Sequence, residues 1–186
     1  MIQITVTLPS ADAIHGELHA LLPDGELRAP CVIGRSGVRP AADKVEGDGA
    51  TPLGDWRLRH IYYRADRITA PKTFVSSAPI EADMGWCDAP DHPEYNRLVR
   101  LPFSASHEDM ARDDHVYDLV VVLGHNDDPP VPGQGSAIFW HLKRGAEDPK
   151  QWQATEGCVA TTLDVMYRVL VACDETSTLR VTLADI

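Results

Sequence analysis

Residues 117–142 read YDLVVVLGHNDDPPVPGQGSAIFWHL. Two apolar runs, YDLVVVL and SAIFWHL, stand on either side of DDPPVPGQG, whose Asp, Pro and Gly content marks a loop. Each run is short, rich in β-branched and aromatic residues, and bounded by turn formers. That combination predicts buried strands rather than helices. The second run has His141 next to its end, so a rigid element would carry an imidazole to a fixed place.

The same reading extends through the first half of the chain. IQITVTL alternates, with Ile2, Ile4 and Val6 on one face and Gln3, Thr5 and Thr7 on the other. Pro23 to Gly25 form a turn signal between two strand-like runs, which predicts a hairpin. GDWRLRHIYY reads as a further strand, and STLRVTLADI as the closing one. The stretch from Ala65 to Arg97 is rich in Pro, Asp and Ala and reads as extended connections with little regular structure. One helix is expected in TTLDVMYRVLVA, where Leu163, Met166, Tyr167 and Leu170 fall at i, i+3, i+4 and i+7. Thr161 or Thr162 is its N-cap, and Asp164 in the first turn suits the helix dipole. The expectation is one mainly β domain over residues 1–186, with one or two helices.

Bulk properties narrow the function. A chain of 186 residues suffices for one domain with a real core. A hydrophobic share of 44% is that of an ordinary globular protein, and a net charge of −11 gives a pI near 5.0. That charge argues against nucleic acid and against an anionic membrane surface as partners. No run approaches the roughly 20 apolar residues of a spanning helix. The opening MIQITVTLPSADAIHGEL lacks the basic start and apolar core of a secretory signal. Cys31, Cys87, Cys158 and Cys173 are scattered singly, without metal-ligand or disulfide-framework spacing.

Cys158 stands apart from the other three. Gly157 precedes it, and a glycine there lets the backbone turn sharply and approach a substrate closely. The segment lies between a strand and the expected helix, and a helix N-terminus nearby would favour a thiolate. A thiol needs an activating base, and His141, 17 positions upstream, is the natural candidate. On these residues alone, a catalytic pair and a buried cysteine with an unrelated strand-end histidine both stay open.

IFWH…TEGC resembles the signature of the YkuD-type L,D-transpeptidase catalytic domain: a histidine, a variable loop, then a Ser/Thr-x-Gly-Cys cluster. GRSGVRPAADKVEGDGATPLGDWRL, Gly34 to Leu58, is similar to the family's entry segment, with its pattern intact from Lys44 to Gly54. GWCDAPDHPEYNRLV, YDLVVVLGHN and GQGSAIFWH resemble a subgroup whose cluster reads GCVA. The resemblance covers about residues 34–172. It implies a β-sandwich-like fold and cysteine acyl transfer on peptidoglycan stem peptides without cofactor or metal. Cys158 is then the nucleophile, His141 the base, and the N–H groups of Gly157 and Cys158 the oxyanion hole. The product is a crosslink between two diaminopimelates. Such a substrate lies outside the cytoplasmic membrane, in the periplasm or cell wall.

Three positions depart from the family pattern. Glu156 stands where many members have His, Ala160 where many have Arg or Asn, and His125 where an aromatic Tyr is expected. Thr155, Asn126 and Trp86 are candidate substrate contacts. Asn126 also reads as a turn residue and Trp86 as packing. Asp88, Asp91 and His92 near Cys87 lack metal-ligand spacing, and His107, His115 and His125 are too dispersed to form a site. GDGATPLG lacks the ending of a phosphate-binding loop and reads as a turn into a strand. Two alternatives share the same residues: an L,D-carboxypeptidase that uses water as acceptor, and a non-catalytic cell-wall peptide-binding module.

Overall fold

A computed structural model describes residues 2–184. Its strands in chain order are β1 (Gln3–Leu8), β2 (His15–Leu22), β3 (Gly25–Val32), β4 (Val38–Pro40), β5 (Thr51–Tyr63), β6 (Ser77–Pro79), β7 (Met84–Cys87), β8 (Leu98–Arg100), β9 (His107–Asp109), β10 (Leu119–Leu123), β11 (Phe139–Leu142), β12 (Arg144–Gly145), β13 (Trp152–Gln153), β14 (Val159–Thr161) and β15 (Thr178–Leu183). A single α-helix, α1 (Leu163–Leu170), and two short 3-10 turns complete the described residues. Strand accounts for 41% of the described residues and helix for 8%, so the protein is mainly β, as its sequence predicts.

The large sheet closes on itself. Its order runs β10-β11-β14-β3-β2-β1-β15-β5, and β5 pairs back onto β10. Closure leaves no long exposed edge. The β2–β3 hairpin turns at Pro23 and Asp24, as expected, and its register runs from Leu22↔Gly25 to His15↔Val32. In β1 the alternation holds: Ile4, Val6 and Leu8 are fully buried while Gln3 is exposed. β15 lies parallel to β1 over the full length of both. The closing run STLRVTLADI is strand as far as Leu183, and its last two residues lie outside the described ones.

The interior holds Ile4, Leu18, Leu58, Leu119, Trp140 and Leu179, among others. Helix α1 seals it with Met166, Val169 and Leu170, all fully buried. Tyr167, expected on the buried stripe, is only half-buried, and its hydroxyl donates to Thr69 O at 2.6 Å. Val169 takes its place inside. Thr162 is the N-cap.

A second layer explains the apolar runs. β7 pairs with β8 and β9 in a small sheet. Met84 and Trp86 of β7 pack with Val120, Val122 and Phe139, which point away from the closed interior. β10 and β11 are therefore covered on both faces, and every residue in them is buried. This corrects the expectation for Ala65–Arg97: β6 and β7 lie inside that stretch. Short strands of three or four residues carry too little alternation to show in sequence.

Candidate active site

Strand parity assembles the pair. β11 and β14 run parallel, with Trp140 opposite Val159 and His141 opposite Ala160. Trp140 and Val159 point into the closed interior. The period-two alternation then turns Phe139, His141 and Cys158 to the outer face. Phe139 and Cys158 pack together there. Trp140 is locked by its own hydrogen bond, Nε1 to Thr161 Oγ1 at 2.8 Å, which fixes the register that presents His141.

Cys158 and His141 line one cavity of about 180 Å³, together with Glu108, Tyr117 and Thr155. The Cys158 thiol donates to Ala137 O at 3.1 Å and accepts from the Phe139 N–H at 3.3 Å. His141 Nδ1 lies 2.9 Å from Leu142 O. A carbonyl only accepts, so Nδ1 carries the proton and the Nε2 lone pair is the basic one. The Tyr117 ring stacks edgewise on His141, with centroids 5.4 Å apart. The thiol and the imidazole are both neutral in this setting. Burial pushes the thiol up to about 12, the Glu108 carboxylate adding to it and the Phe139 N–H opposing it. Burial pushes the imidazole down to about 4. The expected help from a helix N-terminus is absent: all of β14 lies between Cys158 and the first residue of α1.

Gly157 has φ +142, a conformation that L side chains rarely adopt, and a Cβ there would meet Ala50 O at 3.0 Å. Its carbonyl accepts from Thr51 Oγ1 at 2.8 Å, and the same hydroxyl accepts from Gly34 N at 2.9 Å. The entry segment therefore holds the backbone next to Cys158 from a distance in sequence. Lys44 braces that segment through Asp48 at 2.7 Å, and Asp48 in turn accepts from the N–H groups of Val45 and Ala50. Glu46 accepts from Tyr95 Oη and from Ser136 Oγ, tying the segment to the loop before β11.

Thr155 lines the cavity and bridges the turn. Its hydroxyl accepts from Gly157 N at 3.2 Å and donates to Cys158 O at 2.6 Å. Trp86 is buried on β7, 5.1 Å from Phe139 in an edgewise stack. It lines a neighbouring cavity, to which Phe139 also contributes. Its Nε1 donates to Asn96 Oδ1 at 2.9 Å. Asn126 reaches neither cavity. It adopts φ 50 and staples the following loop, donating to Val131 O and Gly135 O and accepting from Val131 N.

The three departures each have a structural partner. Glu156 lies on the rim and pairs with Arg35 at 2.8 Å. Ala160 is buried against Trp152 and Val32, so an indole occupies the space beside it. His125 is buried edgewise against Trp56, with Nε2 2.9 Å from Gln134 O.

Glu108, Arg112, Tyr117 and Arg144 also line the cavity, and none was singled out from the sequence. They come from HEDMARDDHVY and the first residues after β11, where β9 and β12 are too short to show a period. Among the described residues no group of His, Cys, Asp and Glu could hold a metal ion, and no helix is long and apolar enough to cross a membrane.

No curated protein matches the chain. The family model for the L,D-transpeptidase catalytic domain matches residues 17–181, a span that takes in both strands of the site and the entry segment that braces it. The chain therefore belongs to the YkuD family of L,D-transpeptidase catalytic domains.

Proposed function

We propose that this domain is a cysteine acyltransferase that crosslinks peptidoglycan stem peptides, with Cys158 as nucleophile and His141 as general base. The observation that supports it is the placement of both side chains on the outer face of two adjacent parallel strands, lining one cavity. The Nε2 lone pair of a neutral imidazole takes the thiol proton as sulfur attacks the carbonyl of diaminopimelate. The same proton then goes to the departing D-Ala amine, and a thioester remains on Cys158. An amine of a second stem resolves it.

The developing oxyanion is received by the backbone N–H groups of Gly157 and Cys158. Gly157 gives up its Thr155 hydroxyl partner to do so, and Thr155 keeps the turn in place through the Cys158 carbonyl. A thiol held near 12 is not a standing thiolate, so proton removal is coupled to attack and needs His141 in place. Burial of His141 keeps it in the basic, uncharged form for that step.

Incubation with a purified stem tetrapeptide tests the reading. A crosslinked dimer with release of D-Ala is expected. Free tripeptide without dimer would make the domain a carboxypeptidase, and no turnover at all would leave it a binding module.

A further inference from the structure

The cavity beside Cys158 carries charge of both signs that is not paired across it. Glu108 and Arg112 both line it, and Tyr117 stands between them. The phenol donates to a Glu108 carboxylate oxygen at 2.5 Å, and the Arg112 guanidinium lies over the same ring, 5.1 Å from its centroid. Among the described residues Arg112 and Arg144 pair with Asp114 rather than with Glu108. Asp114 takes Nε and Nη2 of Arg112 at 2.9 Å each and Nη2 of Arg144 at 2.6 Å. Two guanidiniums on one carboxylate leave that side of the cavity net positive. Glu108 makes the other side negative. A cation and an anion held apart by one aromatic ring fit a ligand that bears both charges on a single carbon.

We propose that this cavity seats the zwitterionic amino-acid head of the incoming acceptor, with Glu108 receiving its amino group and Arg112 its carboxylate, so that an amine rather than water resolves the thioester at Cys158. The inference rests on the acyl-enzyme reading above and goes beyond it by naming what selects the acceptor. Glu108 and Cys158 line the same cavity, so an amino group hydrogen-bonded to Glu108 enters the space onto which the acyl-bearing sulfur opens.

The step balances as follows. The ammonium gives one proton to solvent and attacks as the neutral amine, one of its N–H bonds still directed at Glu108. The N–C bond forms and the C–S bond breaks. The second nitrogen proton passes through His141 Nε2 to the departing sulfur. Thiol and neutral imidazole are both restored.

The test reads the ratio of transfer to hydrolysis from a preformed acyl-enzyme, by mass spectrometry of the released products. The acyl-enzyme is formed with a stem tetrapeptide and offered an excess of meso-diaminopimelate or of cadaverine, its counterpart without carboxylates. The unmutated protein should favour transfer to diaminopimelate over cadaverine by about tenfold, the scale of one charge-assisted hydrogen bond. Arg112→Gln should bring that preference close to one, and Arg112→Lys should restore part of it. Glu108→Gln should lower the ratio about tenfold for both amines. Because the ratio is read after acylation, a changed acylation rate does not enter it. Equal transfer to the two amines by the unmutated protein, or an unchanged ratio in Glu108→Gln, overturns the proposal. Absence of any acyl-enzyme in the unmutated protein removes instead the reading on which it rests.

Discussion

Cys158 and His141 are set apart from ordinary side chains by where their protons sit. His141 is held near 4 against a usual 6.5, so as pH falls the unfolded chain binds the extra proton first. The stability linked to this histidine is complete above about pH 6.5 and is lost toward pH 4, by up to about 3 kcal/mol. Cys158 is the mirror case: its linked stability is complete below about pH 9 and is lost as pH rises toward 12. Denaturant midpoints taken across pH 4 to 7 should fall on the acid side, and His141→Asn should flatten that slope. An equal slope in the variant contradicts the assignment. In activity, the same variant should slow acylation by roughly 10²–10⁴, the usual contribution of a general base. Free-thiol alkylation should be slow at neutral pH and climb steadily above pH 9, without a step near neutrality that would signal a preformed thiolate.

At the scale of elements, the site depends on braces that no local pattern reveals. Thr51 and Gly157 are 106 positions apart, and Arg35 and Glu156 are 121 apart. Thr51→Val removes a buried hydroxyl that both donates to Gly157 O and accepts from Gly34 N. It should cost about 1–3 kcal/mol in a chemical melt, because two buried polar groups lose their partner. Gly157→Ala forces a side chain into a conformation it resists and toward Ala50 O, and should destabilise by about 1–3 kcal/mol with a larger loss of acylation. The Arg35–Glu156 pair is exposed on the rim, and breaking it with Glu156→Gln should shift the melt by less than about 1 kcal/mol. The strands themselves were readable wherever one face is wet, as in β1, and wherever a turn is plainly spelled, as at Pro23. Parity in β11 was not readable, because the small sheet covers its outer face and all of its residues are buried. His141 therefore looked like a strand end, while its direction came only from pairing with β14. Glu156 had no visible role until Arg35 arrived beside it from the far end of the chain. Asn126 met the turn reading rather than a place in the cavity, since its side chain closes the loop that follows it.

For the whole molecule, closure is what makes the site rigid. β15 joins β1 to β5, and without it the ring opens between the first strand and the strand that carries the entry segment. Deleting Thr178–Leu183 should abolish cooperative unfolding altogether, seen as loss of a sigmoidal melt, because Leu179 and Val181 also leave the interior. The family match begins within β2 and runs into β15, and it takes in the covering layer, so the cavity beside Cys158 is built from the wall of the closed sheet and its outer cover together. In the function proposed for this domain, the Cys158 thiol is neutral at rest and His141 makes it reactive toward an acyl donor. The most direct measurement is intact mass after incubation with a carbapenem. The unmutated protein should gain one drug mass, Cys158→Ala should gain none, and His141→Asn should gain it far more slowly. An unmutated protein that gains no mass, or a Cys158→Ala variant that gains it as readily, would contradict the account.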